Sequence, residues 1–251
     1  MNWDLNCDLG EGESPIRTRA LMRWITSANV ACGGHAGDER SMRRCAALAR
    51  ENGVRLGAHP GSRDRASMGR RPVQIGPKEL ERLLVEQVST LGRIAAEEGA
   101  SLHHVKLHGG LYHAVEGSAV LARVYLDCLQ TRWPGIKSYA FAGGRVIRLA
   151  KKMRIEAWGE AFVDRGYLDD GRLVPRAQPG ALLENRSAIQ ERVRDLCQRS
   201  RVQSLSGRVL CVHAQTLCVH GDTPSAAFVA RWTRRILENE AQAPGARSSR
   251  A

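Results

Sequence analysis

The stretch Asp4-Leu5-Asn6-Cys7-Asp8-Leu9-Gly10-Glu11-Gly12 decides how this chain folds. Side chains on a strand alternate between faces, so Asp4, Asn6 and Asp8 share one face while Leu5, Cys7 and Leu9 share the other. An interior strand of a doubly wound sheet is covered by helices on both sides and is apolar on both. One polar face predicts instead a closed or nearly closed barrel, whose polar lumen leads to a site at the C-terminal strand ends. A strand over 102–108 repeats the pattern, with His104, Lys106 and His108 on one face.

Outward from these two, strands are predicted near residues 2–9, 27–32, 54–59, 102–108, 137–141, 156–161 and 215–220, with helices between most of them. The clearest helix opens at Pro77 and repeats Leu80, Leu83, Leu84, Val88, Leu91 and Ala95 on one face. A shorter one carries Met42, Cys45, Ala46 and Ala49 and ends near Gly53. The fold class is therefore α/β: a (β/α) TIM-like barrel variant with about seven parallel strands. Between 164 and 213 the alternation loosens, and Asp169-Asp170-Gly171 and Leu205-Ser206-Gly207 predict hairpin turns of small antiparallel insertions. Residues 1–240 read as a single domain, followed by a disordered tail over 241–251.

Composition narrows the function. Of 251 residues 43% are hydrophobic, enough for one large core, and only 5% are aromatic, too few for a surface that stacks single-stranded nucleic acid. The formal charge of +12 is scattered along helices and loops, which reads as a solvated basic surface and not a nucleic-acid site. No apolar run is long enough to span a membrane, and Met1 passes into a strand-like segment without a signal-peptide pattern, so a cytoplasmic protein is expected. Seven cysteines without a C-x-x-C pair indicate buried thiols, not a disulfide framework or a structural zinc site.

Placing the strand ends side by side gathers the polar groups of an active site, each on a rigid support. Catalytic roles are assigned to Asp8, His35, His59, Lys106, His108 and Glu160, with Asp8 as general base, His59 and His108 as proton shuttles and Lys106 as a fixed positive charge for an oxyanion. Substrate binding is assigned to Asn6, Glu11, Asp38, Arg70, Arg71, Asp164, Arg165, His220 and Asp222, the arginines as clamps for a carboxylate or phosphate. Asp8, His35, His59 and His108 are the residue types of a divalent-ion set, but H-E-x-x-H is absent and the spacing of His104 and His108 on a strand makes no chelate, so a metal is left open. Cys7 points away from the polar face, whereas Cys218 shares a face with His220. No G-x-x-x-x-G-K-[ST] phosphate loop occurs, so an ATP-driven step needs another nucleotide site or a partner.

These segments, with Ser27-Ala28-Asn29-Val30-Ala31-Cys32-Gly33-Gly34-His35-Ala36-Gly37-Asp38, Gly57-Ala58-His59-Pro60-Gly61, Gly69-Arg70-Arg71, His104-Val105-Lys106-Leu107-His108-Gly109-Gly110-Leu111-Tyr112, Glu160-Ala161-Phe162-Val163-Asp164-Arg165, Leu173-Val174-Pro175-Arg176 and Thr216-Leu217-Cys218-Val219-His220-Gly221-Asp222-Thr223-Pro224, resemble in order the LamB/YcsF family, to about residue 239. The resemblance implies a barrel related to the glycoside hydrolase/deacetylase superfamily. It further implies ATP-dependent opening of 5-oxo-L-proline to L-glutamate, with ATP used together with 5-oxoprolinase subunits B and C. A stable lactam gains from activation such as phosphorylation of its amide oxygen, which a chain without a phosphate loop leaves to partners. Gly34 stands where the family usually has an aromatic residue, Leu107 where it has Pro, Gly110 where it has Ala and His113 where it has Asn, and the stretch after Glu11 is shorter. These departures reshape the predicted pocket. The competing readings are a metal-dependent amide or carbohydrate deacetylase on the same barrel, and a non-catalytic ligand-binding subunit.

Overall fold

In a computed structural model, which describes residues 3–223 and 225–242, seven parallel strands close into a barrel. The strands are β1 (Asp4–Leu9), β2 (Ser27–Ala31), β3 (Arg55–His59), β4 (Leu102–Lys106), β5 (Lys137–Phe141), β6 (Ala157–Phe162) and, after a two-stranded excursion, β9 (Thr216–Val219), which pairs with both β6 and β1. The excursion holds β7 (Arg201–Gln203) and β8 (Val209–Cys211), antiparallel across the turn at Leu205-Ser206-Gly207. The turn at Asp169-Asp170-Gly171 is bracketed by an antiparallel bridge between Tyr167 and Leu173. Every strand expected from the sequence is present, and both hairpin turns fall where the glycines permit them.

Helices α1 (Pro15–Met22), α2 (Glu39–Asn52), α3 (Pro77–Glu97), α4 (Gly109–Gly117), α5 (Ala119–Arg132), α6 (Arg145–Met153), α7 (Arg186–Arg199) and α8 (Ala226–Gln242) complete the α/β alternation. Leu80, Leu84, Val88, Leu91 and Ala95 of α3 are fully buried, while Leu83 is half-buried at the stripe's edge. Burying such a leucine contributes about 1.5–3 kcal/mol. Gly53 ends α2 in the left-handed conformation, φ 64°, which favours glycine there. Ala241 and Gln242, assigned from sequence to the tail, belong to α8, which runs two residues past Glu240; residues 243–251 of that expected tail lie outside the described residues.

Leu5, Cys7 and Leu9 are buried in the hydrophobic core, whereas Asp4, Asn6 and Asp8 join a polar hydrogen-bonded network inside the barrel. The lumen is packed, not hollow. Its lower part holds Tyr139 stacked on His104 with ring centroids 3.8 Å apart. Asp4 there accepts hydrogen bonds from Ser27, Thr26, Thr216 and Arg55. Gly57 makes room for the His104 ring, since any Cβ on it would fall inside that ring. His104 and Asp4 thus seal the barrel and leave the chemistry to the other end. Strand β4 stops at Lys106, so His108 is the N-cap of α4 and not a strand residue: His108 N donates to Pro60 O at 2.9 Å, which draws the chain out of the ladder.

Candidate active site

A cavity of about 1010 Å³ opens at the C-terminal strand ends, with Asp8, Glu11, His59, Lys106, His108 and His220 on its floor and Arg70, Arg165 and Asp222 on its walls. Nine residues read as site residues from the sequence therefore meet there. Three others support it from behind. Glu160, fully buried on β6, lies 2.8 Å from Lys106 Nζ; Asp164 accepts from His220 Nδ1 at 2.8 Å and from its backbone N–H at 2.9 Å; His35 stacks on His108 with centroids 3.6 Å apart.

Three residues are placed elsewhere. Asp38 is the N-cap of α2 and forms a capping box with Ser41, so its carboxylate is occupied by the helix end. Arg71 is exposed and does not line the cavity, because its carbonyl faces Gly110 and turns the side chain outward. Asn6 is fully buried below the floor, where its amide donates to Thr216 and accepts from Asn29 and Lys106. It binds neighbours, not a ligand.

At the centre, Lys106 Nζ is surrounded by Asp8 Oδ1 at 2.9 Å, Glu160 Oε1 at 2.8 Å, Asn6 Oδ1 at 3.2 Å and Cys218 Sγ at 3.2 Å. Its charge is spent on two carboxylates, so it fixes Asp8 and leaves no hydrogen free for an oxyanion. Burial pushes the Lys106 ammonium down, but Asp8, Cys218 and Glu160 more than reverse this and hold it protonated. Burial pushes Asp8 up, and the charges of His59 and Lys106 outweigh it, so Asp8 stays well below the usual carboxylate range. Asp8 Oδ1 is taken by Lys106 and Asn29, while Oδ2 lies 3.4 Å from His59 Nε2. Cys218 is not a nucleophile here: burial drives its thiol well above the ordinary value, and it stays protonated.

The Glu11 loop is set by a residue that sequence reasoning passed over. Glu13 accepts from the backbone N–H of Gly10 at 2.8 Å and of Glu11 at 2.9 Å, and from Thr18 at 2.9 Å. Gln87, buried on α3, grips both backbone groups of Gly61 in the same way. Neither sits at a strand end, and the polar Gln87 on an apolar stripe was the only available signal. Gly61 and Gly34 pack so tightly against Gln87 and His35 that side chains there would collide.

Glu11 Oε1 lies 2.9 Å from His35 Nε2, 3.1 Å from His108 Nδ1 and 3.6 Å from His59 Nε2. These four donor atoms lie within 4.8 Å of one another, as do those of Asp8, Cys218 and His220. The set of ligand types read from the sequence thus converges with Glu11, not Asp8, as its carboxylate. Above the floor, Arg70 and Arg176 both bind Asp222, at 2.8 and 2.7 Å, across the mouth. Arg176 was not assigned a role from sequence, nor was Tyr112, whose hydroxyl lies 3.4 Å from Glu160. Arg165 turns its guanidinium onto the carbonyls of Ala181 and Val174, pinning the excursion after β6 as one wall. Six arginines line the cavity, which suits an anionic ligand.

A sequence profile of the LamB/YcsF family matches residues 3–248. The chain is 40% identical over 243 residues to the A component of 5-oxoprolinase from Pyrococcus abyssi, covering 96% of this chain and 95% of that one. It is 40% identical over 240 residues to the component of that name from Bordetella pertussis, covering 94% and 95%. The crystal structure of a lactam utilization protein from Thermus thermophilus superposes with a TM-score of 0.87 at 33% identity, covering 96% of this chain and 98% of the other.

Proposed function

This chain belongs to the LamB/YcsF family, and on that premise we propose that it is the A component of a 5-oxoprolinase, hydrolysing activated 5-oxo-L-proline to L-glutamate. The observation that carries the reading is Asp8, an ionised carboxylate locked by Lys106 at the floor of an arginine-lined cavity, with one oxygen free of the lysine. In this reading the B and C subunits transfer a phosphoryl group from ATP to the lactam oxygen, which makes the ring carbon a better electrophile. Asp8 then takes a proton from a water as its oxygen bonds to that carbon. The ring C–N bond breaks, its electron pair goes to nitrogen, and His220, held by Asp164, delivers the proton that makes the amine. A second water releases phosphate from the acyl phosphate left behind. Each turnover so consumes ATP and two waters and yields glutamate, ADP and phosphate.

In this reading Arg165 and the Arg70–Asp222–Arg176 bridge would meet the substrate carboxylate and phosphate. The chain would carry no ATP site of its own. Glutamate release from 5-oxo-L-proline and ATP tests this: release only when candidate B and C subunits are added supports it. Release by this chain alone, in step with ATP cleavage, overturns it.

A further inference from the structure

Two of the floor histidines are held by acceptors that leave no choice of tautomer. His59 Nδ1 lies 2.7 Å from the Lys106 carbonyl, and His108 Nε2 lies 2.8 Å from the Met68 carbonyl. A carbonyl only accepts, so each of these nitrogens carries the ring hydrogen. In the neutral rings His59 Nε2 and His108 Nδ1 are then bare lone pairs, and they face each other at 2.9 Å. The third atom of the group, Glu11 Oε1, is also an acceptor, 3.1 Å from one and 3.6 Å from the other. Three electron-rich atoms in van der Waals contact, almost removed from water, repel unless a cation joins them.

One proton relieves only one edge of this triangle. A metal ion relieves all three, and His35, whose Nε2 lies 2.9 Å from the same carboxylate oxygen, can join it as a fourth ligand by turning its ring out of the parallel stack on His108. A tetrahedral ion with arms of about 2.0–2.1 Å has donors about 3.3 Å apart, close to the separations found here. Backbone carbonyls on the far nitrogens of His59 and His108 are the outer-shell partners that orient metal-ligating imidazoles. The supports are stiff: Glu13 clamps the Glu11 loop, and Met68 and Gly69, at φ 53° and 66°, turn the Met68 carbonyl onto His108.

From this we infer that Glu11, His35, His59 and His108 form a binding site for one divalent transition-metal ion of the zinc type. Three imidazoles and one carboxylate favour zinc or cobalt over magnesium or calcium, which take oxygen ligands. The site adjoins Asp8, and an ion there would supply Lewis acidity to the cavity floor. Its ligand atoms alone define it, whichever substrate the cavity takes.

The test uses the full chain, stripped with a chelator and titrated with Zn²⁺ by calorimetry and with Co²⁺ by absorption. One ion per chain is expected, with intense visible bands of four- or five-coordinate cobalt, and His59→Asn and Glu11→Gln should each weaken binding by at least about tenfold. Absence of stoichiometric binding, or binding unchanged in both variants, overturns the inference. Should a variant fail to fold, the wild-type cobalt spectrum decides: weak bands of an octahedral, water-ligated ion overturn it as well.

Discussion

Lys106 Nζ lies 2.9 Å from Asp8 Oδ1 although the two residues are 98 positions apart and on strands that are not neighbours in the barrel. The same ammonium reaches Glu160 on β6, so one buried cation braces three strands. Lys106 is 3% exposed and Glu160 0%, so the contact is neither screened nor replaceable by water. Its removal leaves the Glu160 carboxylate buried, and the Asp8 carboxylate at the cavity floor, without their cation.

Lys106→Met should therefore destabilise the fold by about 3–5 kcal/mol in urea unfolding. Adding Glu160→Gln should recover part of that loss, because one of the two stranded charges goes with it. A single variant within about 1 kcal/mol of wild type would show that the ion pair does not brace the barrel.

Gly57→Ala should destabilise through overpacking, since its Cβ has no place but the His104 ring. A cost of about 1–3 kcal/mol corresponds, for a chain of this size, to a fall in Tm of roughly 2–12 °C. Gly135→Ala provides the contrast. Its Cβ meets no neighbour, so its cost comes from its positive φ of 85° alone. Equal Tm values for Gly57→Ala and wild type would contradict the packing of the lower lumen.

Acid stability should depend on Asp164. Burial raises its pKa, but His220, through its charge and through ring and backbone hydrogen bonds, and then Arg165 bring it below the ordinary value. The other groups facing it are the Arg192 guanidinium and the thiols of Cys7 and Cys218. A depressed folded pKa contributes stability above the unfolded value of about 3.9, and that contribution is lost as pH falls through the folded one. Asp164→Asn should thus be less stable than wild type near neutrality, with the gap closing below about pH 4. A gap that stays constant from pH 7 to pH 3 would rule this out.

The barrel was legible because its signals are local. Alternation in Asp4 to Leu9 announces one polar face, a helix end such as Gly53 marks where the next strand begins, and Asp169-Asp170-Gly171 marks a turn of the excursion after β6. Which strand-end residues touch the cavity was less so. Asp38 lies three residues after His35, yet Ser41 three places on and the apolar helix pattern beyond mark it as a helix cap. His108 keeps the strand's two-residue spacing but is pulled out by the Pro60 carbonyl, a contact 48 residues away that no local pattern records. Glu160, Asp164 and His35 have the right chemistry, while their depth behind Lys106, His220 and His108 depends on how the strands are staggered. Glu13 and Gln87 act on backbone groups of other segments, which spacing alone does not reveal.

If Asp8 carries the hydrolytic step, its loss must appear in turnover, and steady-state glutamate release by Asp8→Asn in the presence of competent B and C subunits reads this out. A fall in kcat of about 10²–10⁴-fold is expected, with KM changed by no more than a few-fold, in a protein whose circular dichroism matches wild type. A kcat within about threefold of wild type would refute the role given to Asp8, as would a loss confined to KM, which would make it a binding residue.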